Sequence, residues 1–162
     1  MSPLDSRIRP TGELVRAAIG DILGDTLRGA SVLDLFAGTG AIGLEAISRG
    51  AQSADFVEIS RGGLHSLRAN IAALRLIRRT RVFVRDALPF ADALAPDRYS
   101  VAFADPPYSS RMLDRLIESW QRIRWARVLV VEHATSHRIP AGRECHVLED
   151  TSLTIYDASR PG

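Results

Sequence analysis

Asp105-Pro106-Pro107-Tyr108 follows the apolar run Val101-Ala102-Phe103-Ala104. That run reads as a buried strand, so an acid, two prolines and an aromatic stand where the strand stops. Proline donates no backbone hydrogen bond and fixes the chain direction. Its carbonyl and the Asp105 carboxylate both accept hydrogen bonds, and the Tyr108 ring adds a flat face. Together these groups can grip a planar amino group attached to a ring, which points to chemistry on a nucleobase nitrogen.

Asp105 is one of four acids at or near the ends of successive apolar segments. Asp34 lies within Val32-Leu33-Asp34-Leu35-Phe36, Glu58 closes Phe56-Val57-Glu58, and Asp86 follows Val82-Phe83-Val84. In open α/β sheets, ligands sit at the carboxyl ends of the strands. Gly38, Gly40 and Gly43 form a G-x-G-x-x-G turn after Asp34, where a polar ligand group can approach the backbone near a helix N-terminus. Asp34, Phe36, Gly38 and Gly40 are therefore cofactor-binding candidates. Glu58 can accept both hydroxyls of a ribose and Asp86 the amino group of an adenine, with Ile59 and Ala87 beside them.

The glycine turn alone fits a dinucleotide, S-adenosylmethionine or mere close packing. The Asp105–Tyr108 segment separates these readings. Hydride transfer has no evident use for it, whereas methyl transfer to an sp² amino nitrogen does. The lone pair of such a nitrogen is delocalised into the ring, and acceptors on its N–H bonds orient it toward the methyl. Asp105 and the Pro106 carbonyl would take the two amino hydrogens, Pro107 would stiffen the loop, and Tyr108 would stack on the base. Catalysis would then come from positioning and preorganised electrostatics.

Helices and strands alternate to carry these residues. Leu14, Val15, Ala18, Ile19, Ile22 and Leu23 recur at helical spacing, with Gly24 as a stop. Further helices run through Ile42–Ile47, Leu64–Leu74 and Met112–Trp120. Strands are expected at 32–36, 56–58, 82–84, 101–104 and 128–131, with a closing hairpin from 145–148 and 153–156. Their continuous apolar character suits a mostly parallel α/β sheet covered on both faces. Residues 9–157 read as one domain, with an N-terminal arm at 1–8 and a tail at 158–162.

The 162 residues suffice for one core, and no apolar run reaches the roughly 18 residues needed to span a membrane. A single cysteine, Cys145, makes no internal disulfide, and the N-terminus lacks a secretion signal, so a cytoplasmic monomer is expected. No Cys/His spacing suggests a metal site. All 21 basic residues are arginine. Phosphate contacts must therefore come from guanidinium groups, which bind phosphate bidentately and stack on bases. Arg75, Arg78, Arg79, Arg81 and Arg85 cluster around one helix end and the third strand. Arg111 and Arg115 share a helix face after Tyr108, placed to hold a phosphate flanking a flipped nucleotide. His133 follows Glu132 at the end of the fifth strand, where it could line the substrate pocket.

The chain resembles the bacterial 16S ribosomal RNA guanine-N2 methyltransferases, among the class I S-adenosylmethionine-dependent enzymes. The resemblance covers residues 7–157. It is carried by Arg9-Pro10-Thr11 with Val15-Arg16, by the stretch from Val32 to Gly50, and by Phe56-Val57-Glu58. Asn70, Asp105-Pro106-Pro107-Tyr108 and Val131-Glu132 also match. It implies a Rossmann-like seven-stranded sheet of order 3-2-1-4-5-7-6 with an antiparallel C-terminal hairpin. It further implies that Arg9 and Thr11 belong to a helix closing over the methionine end of the cofactor. Ribosomal RNA or the small ribosomal subunit would be the partner, contacted by Arg75, Arg78, Arg79, Arg111 and Arg115. Family members usually begin with a Gly/Arg-rich hairpin, for which the eight residues before Arg9 leave no room. Gly62-Gly63 is a further departure that weakens the helix start after Glu58. Adenine N6 in DNA, a protein glutamine amide and a non-catalytic cofactor- or RNA-binding role stay open alternatives.

Overall fold

The computed structural model describes residues 11–107 and 111–158. Arg9, Tyr108 and the side chain of Thr11 lie outside the described residues. The elements in order are α1 (Thr11–Leu23), β1 (Ser31–Leu35), α2 (Ala41–Ser48), β2 (Ser53–Val57), α3 (Arg61–Ala73) and β3 (Thr80–Phe83). There follow α4 (Ala87–Asp92), β4 (Tyr99–Ala104), α5 (Met112–Ile123), β5 (Ala126–Ala134), β6 (Glu144–Leu148) and β7 (Thr151–Asp157). Two 3₁₀ turns, Gly24–Leu27 and Ile77–Arg79, lead into β1 and β3.

The seven strands form one sheet of order β3-β2-β1-β4-β5-β7-β6. The pairs from β3 to β5 are parallel, while β7 runs antiparallel to both β5 and β6. The expected order and hairpin are both present. α4 was not foreseen: it has six residues and includes Pro89, too short a span to show a helical period.

Alternating strand residues feed two cores. On one face Val15, Ile19 and Leu23 of α1, Leu44 and Ile47 of α2, and Leu67 and Ile71 of α3 pack on Val32, Phe56, Phe103 and Val130. On the other, Phe90 of α4 and Leu113, Leu116, Ile117 and Trp120 of α5 pack on Leu33, Leu35, Leu129 and Val131. The α5 spacing of three, one and three residues puts all four side chains on one stripe. α5 stops at Arg124, whose backbone is left-handed (φ 60°) and whose guanidinium lies 4.3 Å from the Trp120 ring centroid. α3 begins despite Gly62-Gly63 because Ser60 caps it, accepting the Gly63 N–H at 3.2 Å.

One buried polar node ties three strands together. Asp55 on β2 accepts two bonds from Arg81 on β3, at 3.0 and 2.7 Å, and one from the Tyr99 hydroxyl of β4 at 2.7 Å. The Asp55–Tyr99 bond spans β1, which lies between their strands. Among the described residues no buried side-chain nitrogen or oxygen lacks a hydrogen-bond partner. Among the described residues no helix is long and apolar enough to cross a membrane.

Losing Asp55 strands the Tyr99 hydroxyl and a guanidinium. Asp55→Ala is therefore expected to lower the unfolding free energy by about 2–3 kcal/mol in urea titrations. Arg81→Ala should cost less, because its side chain is largely exposed. Equal losses for both variants would contradict this ranking.

Candidate active site

The chain leaves β1 through a turn that the sequence builds for close approach. Phe36 takes a left-handed backbone (φ 58°), followed by Gly38 (φ 55°) and Gly40 (φ 82°). A non-glycine residue in that region is strained, and such strain gathers at functional sites. Three bonds hold the turn: the Ala37 N–H to the Val57 carbonyl of β2 at 3.1 Å, the Gly38 N–H to Oε1 of Glu58, just past β2, at 2.6 Å, and the Asn70 side-chain amide of α3 to the Thr39 carbonyl at 3.0 Å. Asp34 Oδ2 accepts the Gly43 N–H of the first turn of α2 at 3.0 Å. Gly43 has no room for a side chain, since a Cβ there would lie 2.5 Å from the buried Phe56 ring. At Gly38 a Cβ would meet nothing within 4 Å, so the turn is open on that side.

This turn forms one wall of a cavity of about 660 Å³ at the C-terminal ends of the central strands. Gly12, Val15 and Ile19 of α1 lie against it, Asp105, Pro106 and Pro107 form the opposite wall, and Glu132 of β5 closes it. Four carboxyl groups, Asp34, Glu58, Asp105 and Glu132, therefore line one space.

Their acidities differ for physical reasons. Asp34 is almost wholly buried, and loss of water raises its pKa to about 8; the Gly43 N–H pulls the other way, and the nearby charges of Asp105 and Glu58 push it up further. Asp105 remains accessible at the cavity rim, yet the surrounding walls strip enough water from it to raise its pKa to about 6. Burial raises Glu132 to about 7, helped by the charge of Asp105 and opposed by the Thr151 hydroxyl. Desolvation would raise Glu58 too, but N–H donors at Ser60, Gly38 and Ile59 win and hold it below the usual carboxylate range.

The structure brings Asp34, Phe36, Gly38, Glu58, Asp105, Pro106 and Pro107 together on this cavity. Gly40 stands behind them, where a Cβ would strike Leu67. Asp86, Ala87 and Ile59 do not line it. Asp86 is exposed three residues beyond β3, where it precedes α4 without making a side-chain cap bond. Ile59 is exposed beside Glu58. His133 does not line this cavity but a smaller one beside Pro106, Pro107 and Glu132, with its ring bonded to Thr154 Oγ1 at 2.8 Å and the Ala134 carbonyl at 2.9 Å. Glu132, which had no assigned role from the sequence, lines the main cavity. Its signal was the β5 alternation Val128, Val130, Glu132, which puts it on the cavity face.

The arginines divide in two. Arg111 and Arg115 are exposed on the first turn of α5, at the same end of the sheet as the cavity. Arg75, Arg78 and Arg79 stand where β3 begins, at the opposite end. Arg79 bonds the Ala51 and Gln52 carbonyls at 2.6 and 3.1 Å, so its guanidinium serves the β2–β3 junction. Arg81 is held by Asp55, and Arg85 lies 5.8 Å from the Phe90 ring centroid. Among the described residues no group of three or more His, Cys, Asp or Glu is arranged to hold a metal ion.

Residues 2–155 match the family described as conserved hypothetical protein 95. Over 136 residues the chain is 32% identical to ribosomal RNA small subunit methyltransferase D of Escherichia coli, covering 82% of this chain and 68% of that one. The chain belongs to this family. A solved structure titled putative methyltransferase from Escherichia coli superposes with a TM-score of 0.79 at 29% identity, covering 93% of this chain and 87% of the other. An RNA methyltransferase from Salinibacter ruber, solved with S-adenosyl-L-homocysteine, shares the fold at a TM-score of 0.72 and 15% identity, covering 93% and 94%. The class I methyltransferase architecture is thus shared by the family and by more distant neighbours.

The carboxyl cluster makes stability depend on pH with a definite sign. Asp34, Asp105 and Glu132 hold protons in the folded chain at pH values where the unfolded chain has released them. Between about pH 4 and 8 the folded state binds more protons, so stability falls as pH rises. Glu58 acts oppositely, losing its contribution as pH falls below the usual glutamate range. Melting temperature is expected to decline from pH 5 to 8.5, and Asp34→Asn should flatten that slope. A wild-type curve that climbs over this range would contradict the assignment.

Proposed function

We propose that the protein transfers the methyl group of S-adenosylmethionine to an exocyclic amino nitrogen, guanine N2 of 16S ribosomal RNA. The observation that carries this reading is that Asp105-Pro106-Pro107 and the glycine turn with Glu58 face each other across one cavity. A methyl donor and an amino acceptor must meet in one such space.

The cavity suits the donor. Its acidic lining complements a cation, and Val15, Ile19, Phe36 and Ile42 supply apolar surface. When bound, S-adenosylmethionine supplies an electrophilic methyl on a sulfonium, which leaves as a neutral thioether. Glu58 would accept the ribose hydroxyls, since each carboxylate oxygen has lone pairs beyond those engaged by backbone N–H groups. The turn through Gly38 and Gly40 lets the ligand approach the backbone, and α1 covers the cavity from above. Arg9 and Thr11 are assigned to the same end of the ligand through the family motif.

Asp105 and the Pro106 carbonyl hold the amino group, which orients its lone pair and needs no strong base. Asp105, with a pKa near 6, can receive the amino proton after transfer. Tyr108 is assigned to stack on the base, and Arg111 and Arg115 to hold flanking phosphates, each a sequence-tolerant contact that fixes the nucleotide.

The direct test is transfer of labelled methyl from S-adenosylmethionine to small ribosomal subunits and to naked 16S RNA, with nucleosides resolved by mass spectrometry. Label in N2-methylguanosine is expected; cofactor binding with no label in any nucleic acid would overturn the reading. Asp105→Ala should lower kcat/KM by about 100-fold or more while cofactor affinity stays near wild type. Binding a cation favours ionised carboxyls, so affinity for S-adenosylmethionine should rise from pH 6 to pH 8. Calorimetry in buffers of different ionisation enthalpy should record proton release.

A further inference from the structure

β4 and β5 run parallel with Val101 opposite Val128 and Phe103 opposite Val130. All four side chains lie on the α1 face of the sheet. The pleat repeats every two residues, so the next matched positions on that face are Asp105 and Glu132. Both line the cavity, and they are near enough for the charge of one to raise the pKa of the other. On β7 the Thr151 hydroxyl lies 3.3 Å from Glu132 Oε2 and 3.1 Å from the His133 carbonyl, sharing its one hydrogen between them. Among the described residues the other oxygen of Glu132 has no hydrogen-bond partner, so the site presents a second acceptor beside the first.

Two adjacent carboxylates are costly unless a ligand brings donors to both. The nucleobases divide sharply on this point. The amino group of guanine stands next to a ring N1–H, so its edge offers donors to both acids. In adenine and cytosine the amino group stands next to a bare ring nitrogen, whose lone pair would face the second carboxylate. Enzymes that extrude a base commonly read it by hydrogen bonds to its Watson–Crick edge.

We propose that Glu132 is the specificity-determining residue of this site, accepting the guanine N1–H while Asp105 and the Pro106 carbonyl hold the N2 amino group. The inference rests on the guanine reading above and extends it from the reacting nitrogen to the neighbouring ring atom. Above pH 7, where Glu132 is ionised, the same arrangement disfavours adenine, because the carboxylate meets the lone pair of its N1.

The analogue 2-aminopurine keeps the amino group at C2 and lacks the N1 hydrogen together with the 6-oxo group, so the Glu132 variants assign the preference to N1. Synthetic RNA spanning the nucleotide methylated by the wild-type protein would carry guanine or 2-aminopurine at that position, with methyl transfer from labelled S-adenosylmethionine as readout. At pH 8, where Glu132 is ionised, wild-type kcat/KM should favour guanine by about tenfold or more, the scale of one hydrogen bond to a charged group. Glu132→Gln should shrink or reverse that preference, because its amide can donate to a bare N1. Glu132→Asp should keep the preference with reduced rate. Equal use of both bases by the wild-type protein, or an unchanged preference in Glu132→Gln, overturns the inference alone. A wild-type protein that methylates no guanine overturns the underlying reading, and this inference with it. The wild-type comparison stands even where a variant fails to fold.

Discussion

The hydrogen bond from the Gly43 N–H to Asp34 Oδ2 organises much of what surrounds it. It fastens the start of α2 to the end of β1, and so fixes the path of the glycine turn between them. Gly43 can have no side chain there, because Phe56 and Asp34 occupy that space. The turn in turn presents Gly38 to Glu58, and Glu58 holds the chain leaving β2 through Ile59 and Ser60. A carboxyl group shut away from water at the centre of this arrangement is costly. Accepting a backbone N–H offsets part of that cost, and retaining a proton offsets more.

The concentration of acid groups is the other side of that constraint. Asp34, Glu58, Asp105 and Glu132 come from four different strands or their ends, and only the parallel order of β2, β1, β4 and β5 brings them to one edge. A cavity so lined is tuned for cationic and donor-rich ligands, and a proton is the ligand always at hand. The differing environments separate the four acidities, with Glu58 held low by three N–H donors and Asp34 held high by burial. Such separation lets neighbouring carboxyls take different roles in one space.

Much of this was legible in the sequence where physics left a local trace. Continuous apolar runs marked the parallel strands, the α5 stripe was plain from its spacing, and the G-x-G-x-x-G turn announced a close backbone approach. Facing and distance past a strand end left weaker traces. Asp86 looked equivalent to Glu58 by position, yet it stands three residues beyond Phe83 and outside the cavity. Glu132 was matched but given no role, because its importance lies in the partner opposite it, and pairing register is set by tertiary structure. Arg79 and Arg81 read as a solvated or RNA-facing cluster. Their actual partners, two carbonyls and Asp55, are 26 to 28 residues away in the chain, and no local pattern records that.

The position of β7 between β5 and β6 carries a consequence for the order of events in synthesis. Among the described residues the outer edge of β5 is covered only by β7, and β7 is the last strand in chain order. Until the ribosome has added Asp157, residues 126–134 present a bare row of backbone donors and acceptors, an edge prone to pairing with foreign strands. Leu153, which lines the cavity, and Thr151, whose hydroxyl lies beside Glu132, arrive in the same late segment. The pocket therefore waits on a strand made after every other part of its wall, so that a chain cut before residue 151 holds the glycine turn but no finished acceptor wall.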